Sequence, residues 1–202
     1  MVDNPDLLQK LTPYRSTDSR TAILRGIKEY IAGLEMTFEG KLIRFKKVLE
    51  TWADPEDTAD YPRAVVYSPA PGVYDDSRLT STLIDVSLPG AGPYVLQQVC
   101  ELSLPAVIEV WTTDSVMRMG VTAAVEDAMN PVDWMGGFRL DLPHYFSARA
   151  TVSAKTVDYQ DIGEDVQRRW RRSVIQLETQ MPVYRFVGKV PAMRPEFRAE
   201  VT

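Results

Sequence analysis

From Ser19 onward, apolar residues recur at helical spacing: Ile23, Ile27, Tyr30, Ile31 and Leu34, with Lys28 and Glu29 between them. The pattern predicts a helix over about residues 19–38, capped by Ser19 or Thr17 and followed by a turn at Gly40. Lys41 to Trp52 alternates loosely, with Ile43, Phe45 and Leu49 on one face that Lys47 interrupts. Residues 53–62, ADPEDTADYP, read as an acidic loop, and Ala64 to Tyr67 as a short β-branched strand. In the next stretch, SPAPGVYDDSR, the prolines and glycine cannot continue a sheet interior.

Leu83 to Leu88 and Tyr94 to Trp111 carry the strongest strand signal, joined by a hairpin tip at Pro89–Pro93, with Pro105 marking a bulge or break. AVIEVWTT then runs into Asp114-Ser115, an N-cap pair, which predicts a second helix over about 114–129. Met117, Val121, Ala124 and Ala128 line one face of that helix, and Pro131 stops it. In the last third, Phe138 to Leu142, Ser147 to Asp158 and Arg172 to Thr179 read as strands, as does VYRFVGKV after Pro182. The charged stretch DYQDIGEDVQRRWRR separates two of them as a turn with room for a short helical piece.

The resulting order of helix, strands, helix, strands predicts an α+β fold, a mostly antiparallel sheet packed under two main helices. Residues 1–18 read as an N-terminal arm, 19–190 as a single domain with a long loop and hairpin insertion at about 53–105, and 191–202 as a C-terminal tail. There is no internal repeat and no low-complexity tract.

Composition narrows the function classes. A chain of 202 residues with 45% hydrophobic and 25% charged residues can bury a core without metals or disulfides. The net charge of -5 makes the molecule as a whole repel nucleic acid and anionic membrane. Cys100 is the single cysteine, so there is no disulfide framework, which suits a reducing cytosol. The first residues lack the pattern of a signal peptide, and no apolar run approaches the ~20 residues of a membrane-spanning helix.

Candidate chemistry is sparse. His144, the only histidine, lies in LDLPHYF and reads as a turn residue after a strand; Cys100 reads as a small buried hydrophobe. One histidine and one cysteine argue strongly against a zinc or haem site, no nucleophile or phosphate-loop motif is present, and no cofactor is expected. Asp158, Asp161, Glu164 and Asp165 could hold a hard cation, but they lack the spacing and central glycine of a calcium loop and read as a solvated acidic turn. Asp75-Asp76 reads the same way. Arg168-Arg169-Trp170-Arg171-Arg172 could grip phosphates and stack on bases, yet the preceding acids nearly cancel its charge. Strand alternation sends neighbouring arginines to opposite faces, so salt bridging within the sheet or between subunits is the expected use.

The run VIEVWTTDSVMRMGVTAAVEDAMNP, followed by GFRLDLPHYFSARATVSAKTVDYQD and RRWRRSVIQLETQMPVYRF, resembles the tail-terminator (tail-completion) and related neck proteins of tailed bacteriophages. VLETWADPEDTADYPRAVVYS upstream resembles the start of such proteins, and the likeness spans roughly residues 20–187 as a layout. It implies a non-enzymatic virion protein that forms a hexameric ring at the head-proximal end of the tail and ends tube growth. The implied partners are other copies of the chain, the tail-tube protein, the head–tail connector or stopper, and in contractile tails the sheath. DNA would cross the lumen without specific binding, and assembly would take place in the host cytoplasm.

On that reading the candidate interface residues are Asp75, Asp76, Arg168, Arg169, Trp170, Arg171 and Arg172, together with the hairpin around Leu83–Leu104. Three alternatives stand beside it. One is another neck or baseplate adaptor, and another is a small metal-dependent hydrolase or nuclease using the carboxylates near Asp161. The third is a DNA binder using the Arg168 cluster.

Overall fold

The computed structural model describes residues 18–50, 61–75, 83–88, 92–130, 137–143, 145–146, 148–162 and 170–188; residues 83–88, 92–95, 161–162, 170 and 185–188 are described by their backbone alone. Among the described residues two helices and ten strands follow in the order α1 (Ser19–Gly33), β1 (Met36–Phe38), β2 (Lys41–Ile43), β3 (Lys47–Leu49), β4 (Arg63–Tyr67), β5 (Val73–Asp75), β6 (Leu83–Leu88), β7 (Gly92–Thr112), α2 (Ser115–Met129), β8 (Phe138–Leu142), β9 (Ala148–Ile162) and β10 (Trp170–Gly188). The fold is α+β, as the sequence pattern predicts.

Helix α1 starts on Asp18, whose carboxylate accepts from the Thr21 amide at 2.9 Å and the Thr21 hydroxyl at 2.8 Å. Ala22, Ile23, Ile27 and Ile31 form its buried stripe. The helix ends at Gly33, short of the expected 38, and Leu34 is already extended. Tertiary packing takes the last predicted turn. Met36 is buried as a strand residue, and the Phe38 ring lies over Gly120 of α2, where a Cβ would come within 2.3 Å of it. Glu39 and Gly40, both at positive φ (49° and 74°), then form the two-residue turn of a β1–β2 hairpin. The stretch predicted as one loose strand from Lys41 thus divides into β2 and β3.

Helix α2 is capped by Asp114, which accepts from the amides of Val116 (2.6 Å) and Met117 (2.8 Å). Its buried face is Arg118, Val121, Thr122, Val125 and Met129, rotated from the expected Met117–Val121–Ala124–Ala128 stripe. Two polar residues account for the rotation. Thr122 bonds the Ser173 hydroxyl across the helix–sheet seam, and the Arg118 guanidinium donates to the carbonyls of Gln160 (3.2 Å) and Arg172 (3.4 Å).

The main sheet runs β3-β4-β7-β10-β9-β8, with β5 and β6 also pairing β7. Among the described strand pairs only β3–β4 is parallel. One edge of β7 is shared in succession by β4, β5 and β6, while its other edge pairs with β10 from Val95 to Thr112. At ~3.3 Å per residue, the 21 residues of β7 reach roughly 70 Å if fully extended. Pro105 stays in register opposite Glu178 and neither bulges nor breaks the strand. Its carbonyl accepts from the Ser68 hydroxyl (2.7 Å) in the interval between β4 and β5, so its missing N–H faces no ladder partner. Pro182, in the same phase, lies beyond Gln180, the last β10 residue that pairs with β9.

The stretch VYD, expected to lie outside the sheet, contributes β5 on the flank of β7. Asp158–Ile162, expected in a charged turn, continue β9, and β10 joins two predicted strands into one. Both helices pack on the face carrying the even-numbered residues of β7. Leu102, Leu104, Ala106, Ile108 and Val110 meet Ile23, Ile27, Val121 and Val125 in one core. Burial of each large aliphatic side chain there contributes about 1.5–3 kcal/mol.

Candidate functional site

The odd-numbered face of β7 carries the densest polar cluster among the described residues. Cross-strand register sets Arg63, Trp111, Arg172 and Gln160 in one row across β4, β7, β10 and β9, with Val65, Glu109, Val174 and Asp158 in the row beside it. Arg63 and Glu109 are each 1% exposed. A carboxylate buried in a strand needs several donors, and Glu109 has them. One oxygen accepts from the Tyr67 hydroxyl (3.0 Å) and the Arg172 guanidinium (3.3 Å), and the other from the Trp111 indole N–H (3.1 Å). Arg172 also donates to the Gln160 amide oxygen. The guanidinium carbons of Arg63 and Arg172 each lie 5.6 Å from the Trp111 ring centroid, and that of Arg63 lies 5.0 Å from the Tyr61 ring.

Burial, the Glu109 charge and the hydrogen bond to it together push the Tyr67 hydroxyl up to about 12, against a partial opposing pull from Arg172. The Glu109 oxygens are both engaged by fixed donors, so the cluster ties four strands together and offers no base poised toward an opening. A shallow groove elsewhere, lined by Ala22, Arg25, Gly26, Glu29, Leu142 and Pro143, has no convergent polar set beyond Arg25 and Glu29. Among the described residues no three of His, Cys, Asp and Glu are grouped to hold a metal ion. In the β9–β10 register Asp158 stands opposite Val174 and Asp161 opposite Arg171.

The sequence-selected residues are spread over several places. Asp75 ends β5 opposite Glu101, next to Val73 and Tyr74, which are exposed on the flank of the sheet. Asp76, His144, Glu164, Asp165, Arg168 and Arg169 lie outside the described residues. Trp170 opens β10 in register with Ile162, and Arg171 stands opposite Asp161 and Thr112. Arg172 is only 17% exposed in its side chain and bridges Glu109 within the sheet. Cys100 is half-buried rather than buried. Sequence reasoning passed over Glu109, Arg63, Tyr67 and Gln160. The legible signal was Glu109 itself, a lone carboxylate inside the apolar AVIEVW. No helix of the described residues is long and apolar enough to cross a membrane.

No protein-family model matches the chain, and no curated protein matches it. Over 88% of this chain and 92% of the other, the structure is similar to a chain of a solved assembly described as "Virion of native gene transfer agent (GTA) particle", with 14% identity and a TM-score of 0.34. A likeness of that degree places the chain in no family.

Proposed function

We propose that this chain is a structural virion protein of the tail-terminator kind, building a ring at the head-proximal end of a phage tail by contact with copies of itself. The observation that carries the reading is the open sheet. Among the described residues, stretches of its outer edges have no partner strand, and Val73, Tyr74 and Tyr159 are exposed on or beside them. Unpaired edges with apolar side chains favour association with further chains, and two dissimilar edges favour head-to-tail contacts that close into a ring. The order β7–α2–β8–β9–β10 also reproduces the order on which the resemblance to tail terminators rests. In that role the ring ends tube growth and meets the head connector, and DNA crosses the lumen without being read.

The test is the native mass of the purified protein, alone and with tail tubes, together with negative-stain imaging. Six-fold rings, formed alone or on tubes, support the reading; a monomer or dimer indifferent to tubes refutes it.

A further inference from the structure

The geometry points to one strand edge as the self-contact: the outer edge of β9 from Thr156 to Asp158 pairs with β2 of a second copy. The inference rests on the self-assembly reading above. Strand β8 covers β9 only from Ala148 to Val152. Immediately beyond, the Asn130 amide does the work of one more paired residue: it accepts from the Ala154 N–H (3.0 Å) and donates to the Ala154 carbonyl (3.2 Å). Past that clamp no described strand adjoins β9 on this side, and Thr156, Asp158 and Tyr159 are exposed.

The phase of the ladder identifies the backbone groups on offer. Pro105 directs its carbonyl at Ser68, away from β10, so its partner Glu178 faces β9 while Ile175 and Ser173 face β7. Their β9 partners, Val157 and Tyr159, therefore direct N–H and C=O outward. The clamp on Ala154, partner of Leu177, agrees with this phase.

The occupant follows from charge and from a second edge of matching phase. Val157–Ile162 contains two acids, Asp158 and Asp161, and no base; Lys41–Lys47 contains four bases, Lys41, Arg44, Lys46 and Lys47, and no acid. Arg44 is held by Glu35 of its own chain and Lys47 is engaged as well, which leaves Lys41 and Lys46 to set the sign of that segment. In the β1–β2 hairpin the two-residue turn closes on the hydrogen-bonded pair Phe38–Lys41, so the next residue, Leu42, directs its backbone outward. Leu42 is exposed. Antiparallel pairing of Leu42 with Val157 of another copy sets an apolar pair side by side and brings Lys41 opposite Asp158. Shifting the register by two residues loses that ionic match. Another acidic edge is refused by like charge.

The test uses full-length chains carrying Cys100→Ser, one with Lys41→Cys and the other with Asp158→Cys, mixed under oxidising conditions with and without tail tubes. Positions 41 and 158 would form a non-hydrogen-bonded pair, whose ~4.5 Å Cα separation a disulfide spans. A covalent dimer in the mixture, and in neither chain alone, is the expected result. Rings without that dimer overturn the edge pairing and leave the ring reading standing. A dimer without rings keeps the pairing and removes the ring, and neither product overturns both. Val157→Pro, which deletes the outward N–H opposite Leu42 and no β9–β10 bond, is expected to weaken assembly at least tenfold with unchanged circular dichroism; assembly at wild-type strength would also overturn the pairing.

Discussion

Removing the Glu109 carboxylate is the most informative perturbation of the fold. In Glu109→Ala the Tyr67 hydroxyl, the Trp111 indole N–H and one Arg172 N–H lose their shared acceptor, and the Arg172 charge stays at 17% side-chain exposure. Breaking a buried ion pair from one side costs about 3–5 kcal/mol, and the orphaned neutral donors do not add to this independently. For a domain whose total stability is about 5–15 kcal/mol, that is a large share. With a urea m-value of about 2 kcal/mol/M, the midpoint should fall by roughly 1.5–2.5 M with the slope unchanged. The Glu109→Leu/Arg172→Met double variant removes both charges and should lose much less than the sum of its single variants. A Glu109→Ala loss below about 1 kcal/mol, or an additive cycle, would refute the view that this carboxylate is sealed among fixed donors.

Three further outcomes are expected. The raised Tyr67 pKa means that its stabilising contribution is complete below the unfolded value near 10 and is lost as pH rises toward about 12; Tyr67→Phe should remove that part of the alkaline decline in urea stability, while burial of Tyr30 and Tyr184, also raised, keeps the rest. The Thr21 amide holds Asp18 below its model-peptide value of 3.8, so the contribution of this cap is present above that value and is lost as pH falls through the lowered one; Asp18→Ala should cost about 1 kcal/mol at neutral pH in thermal unfolding, and Asp18→Asn only a fraction of it. Gly120→Ala drives a methyl into the Phe38 ring and should cost about 1–3 kcal/mol. Phe38→Leu in the same chain should recover part of that, whereas an equal loss in the double variant would mean that the hairpin is not seated on α2.

Local chemistry alone determined much of this molecule. Asp114 before an amphipathic run could only open a helix, because its carboxylate satisfies amides that would otherwise lack partners. The β-branched run of AVIEVW favoured a strand by local propensity, and it lies inside β7. These are interactions between residues a few positions apart, and they stay legible without a fold.

Tertiary structure decided what depends on distant partners. Met36–Phe38 left the helical pattern because Gly120, far along the chain, offers a flat seat for the Phe38 ring. Arg118 and Thr122 turned inward on α2 because carbonyls of β9 and β10 and the Ser173 hydroxyl await them there. Arg172 stood by sequence in a basic run expected to form salt bridges within the sheet or between subunits, but only register across four strands selected Glu109, 63 positions away, as its partner. The edge of β9 was equally invisible, since β8 begins only at Phe138, opposite Val152, and Asn130 clamps Ala154 only once the sheet has formed. Sequence spacing fixes which residues share a face of a strand; only the folded sheet decides which edge is left without a neighbour.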